Sequence, residues 1–285
     1  MKFFACVPLG TVIPRFVLLL ALAAGLGLVT CSQSAQAAPT AVAPTMLGIT
    51  QEAVIPGKLP ALLAKRAAAQ PALQLANAGR ISLGLVSVSG PEEVWTFNFY
   101  EALADIETDR LAVERAPATK AAVERLDEAA GACLTHREVQ TCTFLKDLSY
   151  QADFDWAQAT CFDVIVVHVR VGHHLEYLEL RRMSLAGHNK GRLDGPLLVF
   201  KVNTGVKGLT WMIVRPLRSL RQHDELQAKG FGEILTPEED AKMVALRASS
   251  MEYAEERFFR IEPQISRVPA AWAARNPGFW PPASP

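Results

Sequence analysis

DVIVVHVRVGHHLEYLELRR, Asp163 to Arg182, is the stretch whose reading decides the fold. Its first nine residues are rich in β-branched side chains, which alternate with polar ones over Val167-His168-Val169-Arg170-Val171, as in a strand. Gly172-His173 suits a type II′ turn, which takes glycine at its first central position. Read as a hairpin, the stretch sets Val171 opposite His174, Val169 opposite Glu176, Val167 opposite Leu178 and Ile165 opposite Leu180. That face is nearly all apolar. The other carries Val164, Val166, His168 and Arg170 opposite Arg181, Glu179, Tyr177 and Leu175. A slip of one residue would exchange the faces, so the pattern favours this register.

Working outward, a polar loop from Gly187 to Gly195 leads to LLVFKV, and Asn203 to Gly208 turn into LTWMIVR. Together these predict a four-strand meander over 163–215, its last strands apolar on both faces as covered strands are. Upstream, Ile81-Leu83-Leu85 and Trp95-Phe97-Phe99 flank Ser89-Gly90-Pro91 and predict a second strand pair. Leu59 to Leu75 has helical composition interrupted at Pro71, and 101–115 reads equally as helix or hairpin. Pro117 starts a helix that Gly131 can end. Thr236-Pro237-Glu238-Glu239 is a capping box that opens a helix with Val244, Ala248, Met251 and Phe258 as its apolar set. The expectation is an α+β protein, with an antiparallel sheet of about six strands and helices packed mainly on one face. No internal repeat is visible.

The ends read differently. Lys2 and Arg15, the uncharged run from Phe16 to Thr30 and Ala35-Gln36-Ala37 have the three parts of a secretory signal over 1–37. Leu28-Val29-Thr30-Cys31 resembles a bacterial lipoprotein box and offers Cys31 as a competing lipidation site, although Thr30 departs from the small residue usual there. Residues 38–60, with Pro39, Pro44, Pro56 and Pro60, read as a flexible tether, 61–262 as a single domain and 263–285 as an irregular tail rich in proline and aromatics. Export to the periplasm or the outer-membrane surface follows, with a lipid anchor if Cys31 is acylated and no transmembrane helix in the mature chain. In that oxidising setting Cys133 and Cys142, which enclose eight residues, are the easiest pair to close as a disulfide, and Cys161 opens an apolar run as a buried thiol.

The 29 Lys and Arg balance 29 Asp and Glu and are dispersed, which argues against nucleic acid as a partner. His174, Glu176 and His188 match no metal motif, no phosphate loop or nucleophile elbow is present, and neither metal nor cofactor is expected. One constellation stands out on the polar face of the predicted hairpin: His168, Arg170, Tyr177, Glu179 and Arg181. Its plain reading is a charged sheet face, and its functional reading a patch for a ligand or partner. The absence of motifs favours a non-catalytic envelope protein that binds a protein partner in an accessory or inhibitor-like role. The alternative is a secreted hydrolase with His168 as general base beside Tyr177 or Glu179 on the 163–182 hairpin.

Overall fold

The computed structural model describes residues 43–76, 80–228 and 233–280. The signal segment 1–37 and Cys31 lie outside them. In chain order the elements are β1 (Met46–Val54), α1 (Leu59–Ala76), β2 (Ser82–Ser87), β3 (Glu93–Tyr100), α2 (Leu103–Arg115), α3 (Pro117–Gly131), β4 (Leu134–Phe144), β5 (Cys161–Val169), α4 (His174–Gly191), β6 (Leu198–Thr204), β7 (Leu209–Leu217), α5 (Leu220–Ala228), α6 (Pro237–Ser250), β8 (Met251–Ile261) and α7 (Ala270–Arg275). A strand-helix-strand-strand-helix-helix-strand series therefore occurs twice, each copy a ferredoxin-like split βαβ unit. The repeat is structural: β1 and β5 share the same burial pattern along nine positions, while their sequences differ.

The expected open sheet of about six strands is corrected. Eight strands close into a barrel in the order β1-β3-β2-β8-β5-β7-β6-β4, antiparallel throughout. Each half would expose two edges alone, and closure abolishes them. The joins are short: Leu85 to Ser87 of β2 pair with β8, and Thr141 to Phe144 of β4 pair with β6. Inward residues from all eight strands, with Trp95, Phe97, Phe162, Phe200 and Phe259 among them, fill the barrel as one apolar core. Each such aromatic contributes about 1.5–3 kcal/mol on burial. Helices cover the outside in two groups: Leu62 of α1 and Ala130 of α3 pack over Val54, Val86 and Val94, while Tyr177 and Leu180 of α4 and Met243 and Leu246 of α6 pack over Val167, Val199, Trp211 and Ile213. Strands covered on both faces are why β6 and β7 read as apolar throughout.

The predicted meander fails at its second member. β5 is a strand, but Gly172 is followed by helix α4, not by a hairpin partner. From Gly172 to Leu198 no Val, Ile or Thr occurs, and the Leu, Glu, Arg and Met that replace them are helix formers. Tyr177, Leu180, Arg181, Ser184 and His188 are buried at helical spacing. The true neighbours of β5 are β7 and β8.

The tether and the tail also need correcting within the described residues. Pro44 and Pro56 bracket β1, whose Leu47 and Ile49 are wholly buried between β3 and β4. Beyond Pro263, Trp272 and Trp280 are buried with Trp156 at one end of the barrel. The capping box at Thr236 is present, Thr236 Oγ1 accepting from Glu239 N at 3.2 Å and Glu239 Oε2 from Thr236 N at 2.8 Å. Helix α6 stops at Ser250, however, so Met251 and Phe258 belong to β8, and Met243 and Leu246 face inward in place of the exposed Val244. Region 101–115 resolves as helix α2 with part of its flanks.

No Cys133–Cys142 disulfide exists; both are free, buried thiols. Cys133 packs under α1 and α3 outside the barrel, whereas Cys142 points inside it. Strand β4 lies between them, and nine steps of about 3.3 Å separate two residues far beyond the roughly 7 Å limit between bridged Cα atoms. Burial pushes the Cys142 thiol up to about 12.

Candidate active site at the barrel mouth

The barrel is closed at one end and open at the other. At the closed end Trp280 Nε1 donates to Ala157 O at 3.1 Å, and Trp156 packs edge-on against Phe99 with centroids 4.9 Å apart. The opposite end is where β5 finishes, β8 begins and β6 turns into β7. There a cavity of 760 Å³ is lined by Gln51, Trp95, Gln140, His168, Tyr253 and Arg257, among others. Alternation accounts for the polar lining. On β8 the inward series runs Tyr253, Glu255, Arg257, Phe259, Ile261, so one face passes from polar at the mouth to apolar within.

His168 sits at the end of the inward face of β5, between Thr210 of β7 and Tyr253 of β8. Its ring stacks on Tyr253 with centroids 4.1 Å apart and planes 17° from parallel. Its Nδ1 lies 3.2 Å from Thr210 Oγ1, and Thr210 is fully buried. One face and one nitrogen of the imidazole are thus fixed by neighbours, which leaves Nε2 as the nitrogen for a ligand. Where Nδ1–H donates to the threonine oxygen, Nε2 keeps its lone pair and is a base.

Across the mouth, Arg257 Nη1 donates to both carboxylate oxygens of Glu93, at 2.7 and 2.5 Å, and Nη2 to Glu255 Oε2 at 2.6 Å. Trp95 Nε1 also donates to Glu93, at 2.9 Å, and the guanidinium lies 5.7 Å from the indole centroid. Glu93 is thereby held by two donors, and Trp95 is fixed as a flat apolar floor. Gln140 is buried on the same wall with its Oε1 lacking a donor, an acceptor open to a hydroxyl or amide. Gly205 closes one side. Its φ is +85°, and an added Cβ would stand 2.1 Å from Val139 O, so only glycine fits this turn.

The five residues predicted as one patch are dispersed. Only His168 reaches the cavity. Arg170 lies beyond the strand and donates from Nε to Met251 O at 3.0 Å. Tyr177 is buried outside the barrel against Trp211, centroids 5.2 Å apart, where burial raises its phenol. Glu179 pairs with Lys242 of α6 at 2.5 Å, and Arg181 is buried with Nη2 donating to Ser184 Oγ at 3.4 Å. His174 and Glu176 start α4 and His188 ends it, about 20 Å away at 1.5 Å per residue. Among the described residues no group of three or more His, Cys, Asp and Glu is placed to hold a metal ion. Sequence reading missed Thr210, Tyr253, Glu93 and Arg257. The period-two series YAEERFFRI carried the signal for two of them, but a reading of 236–258 as one helix hid it.

No family model matches the chain, and no curated protein matches it. Among solved structures, an anthrone oxidase-like protein aligns at TM-score 0.55 and 13% identity over 78% of this chain and 92% of that one. The fold resembles that protein's. A candidate monooxygenase from Fusobacterium nucleatum aligns at TM-score 0.49 and 11% identity (77% and 93% covered), and a chlorite dismutase variant from Candidatus Nitrospira defluvii at 0.46 and 10% (78% and 92% covered). Only the first exceeds 0.5, and identity this low speaks to fold alone.

The non-catalytic envelope binder expected from the sequence is overturned at this point. That expectation rested on missing motifs, a balanced charge, a flexible N-terminal tether and an aromatic-rich tail. The chain instead forms a closed barrel, similar to an anthrone oxidase-like protein, with a cavity around a positioned histidine. The hydrolase alternative fails as well, because the hairpin that was to carry it does not exist.

Proposed function

We propose that this chain is an enzyme that removes a proton from a planar small-molecule substrate at the barrel mouth, with His168 as general base. The observation that carries the reading is the imidazole in the cavity wall, stacked on Tyr253 and tied through Nδ1 to Thr210. Trp95 supplies a floor for a flat ring, Gln140 Oε1 accepts from a substrate hydroxyl, and Arg257, held between Glu93 and Glu255, fixes the polar wall beside them. By analogy with the anthrone oxidase-like protein, the substrates to try first are aromatic ketones with an acidic methylene, whose carbanions react with dioxygen. The n-region, apolar run and A-x-A sequence of 1–37 support export, which would place the reaction in the periplasm or at the outer-membrane surface.

The test is oxygen uptake with anthrone as substrate, compared between the parent and His168→Ala. A positioned base contributes about 10²–10⁴-fold, so H168A should lose at least the lower figure while Thr210→Val loses less. Activity unchanged in H168A sinks the assignment. So does the absence of both turnover and Trp-fluorescence quenching with planar aromatic ligands.

A further inference from the structure

A second cavity of 350 Å³ lies outside the barrel, between α1 and α3 and the outward face of the first half-sheet. Its walls differ in character. Leu73, Val123, Leu126 and Ala130 from the helices make an apolar side, and Glu52, Arg66, Arg137 and Arg267 a charged one. Most of that charge is spoken for. Glu52 is wholly buried and is clamped by Arg66, and by Arg137, whose Nε donates to Oε1 at 2.9 Å. Arg137 also donates from Nη1 to Asp127 at 2.9 Å, and Arg66 Nη1 to Thr96 Oγ1 at 3.0 Å. Two carboxylates thus face three guanidiniums.

Arg267 is the cation left over. Its main chain pairs with Ser82 in both directions, at 2.7 and 2.8 Å, which fixes its position. Its side chain makes no hydrogen bond or ion pair with the described residues, and its Nε is buried without an acceptor. The Tyr100 phenol and the Asp109 carboxylate act on it electrostatically, and Asp109 Oδ1 accepts twice from Arg80, at 3.1 and 2.8 Å. The side chain as a whole is half-buried, so its guanidinium is partly desolvated, and a negative charge in the cleft would pair with it. Nearby, Gln70 Oε1 is also buried without a donor.

We propose that this cleft is a binding site for a small monocarboxylate with an apolar body, the carboxylate on Arg267 and the chain between α1 and α3. It is separate from the mouth, since its residues face outward from the strands whose inward residues line the barrel. A single guanidinium without a hydrogen-bond partner favours a monoanion over a phosphate. The apolar wall favours a short acyl chain over a bare ion.

The experiment is calorimetric titration of the full-length protein with hexanoate, with 1-hexanol as the uncharged control. Saturable 1:1 binding of hexanoate is expected. Arg267→Gln should weaken it about tenfold or more, because a charge-assisted bond is lost, and Arg267→Lys should restore part of the loss. His168→Ala should leave it unchanged. R267Q keeps the main-chain pairing with Ser82, and an unaltered melting temperature verifies that it folds; should it not fold, R267K against the parent at raised salt reads the same charge. The proposal is overturned if hexanoate at millimolar concentration gives no saturable heat, if 1-hexanol binds equally well, if R267Q binds like the parent, or if H168A rather than R267Q abolishes binding.

Discussion

Replacing Trp280 by alanine should unseat the closed end of the barrel. The side chain is 2% exposed and packs among Trp156, Trp272 and Phe279. Truncating a buried tryptophan costs about 3–5 kcal/mol, part lost transfer energy and part cavity. The carbonyl of Ala157, buried and deprived of its indole donor, adds about 1–3 kcal/mol. A total of about 4–8 kcal/mol compares with the 5–15 kcal/mol that holds a typical domain together. Trp280→Phe keeps most of the apolar volume and loses chiefly the hydrogen bond, so about 1–3 kcal/mol is expected. Urea denaturation measures both. With a slope of about 2–3 kcal/mol per molar, a loss of about 4 kcal/mol lowers the midpoint by roughly 1.3–2 M. A W280A midpoint within about 0.3 M of the parent, equivalent to less than about 1 kcal/mol, would refute the assignment of this tail to the core. So would a W280F variant as unstable as W280A.

Two further outcomes follow from the buried charges and thiols. Burial, with the Glu256 carboxylate nearby and Arg215 opposing, raises Asp163 to about 7, so between about pH 4 and 7 the native state holds the proton more tightly than the unfolded chain and stability falls as pH rises. Burial, with Arg215 and Arg181 nearby, lowers His188 to about 4; its contribution runs the other way, present above about pH 6.5 and lost as pH falls toward 4. Melting temperatures of the parent should therefore change little across this window, whereas Asp163→Asn should become steadily more stable from pH 4 to 6.5; identical profiles would exclude the Asp163 effect. Finally, iodoacetamide added to denatured, unreduced protein should alkylate Cys133 and Cys142 individually, and recovery of a peptide pair linked through them by mass spectrometry would contradict the separate cores.

Much of the fold was legible as local pattern and little of it as closure. β2, β3 and β5 show period-two apolar positions and β6 and β7 unbroken apolar runs, and Pro117 and the Thr236 box start their helices as their chemistry requires. What the pattern could not convey is which strands meet across distance. The pairing of β2 with β8 rests on three residues per strand, and nothing local in Leu85 to Ser87 names Phe259 to Ile261 as partners. Between Gly172 and Gly191 two periods compete, because leucines at 175, 178, 180 and 185 serve either one; the absence of β-branched residues was the signal that settles it. At the site, His168 was visible as an ionisable residue at the end of a strand. Thr210 and Tyr253 were not, since they come beside it only through the β5–β7 and β5–β8 pairings.

The twofold construction gives the chain an economy of another kind. Aligned by their shared burial pattern, β1 and β5 place Ala53 where the second half has His168, and Gln51 where it has Val166. Two scaffolds of equal shape therefore meet around one cavity with unlike endowments: one arm brings the imidazole, the other brings amides and a methyl group. The two sides of the cavity thus differ in chemistry although one strand of each shares its burial pattern. On the proposed reading, that asymmetry puts the only imidazole on one side of a flat substrate, so proton removal by His168 would be confined to one face.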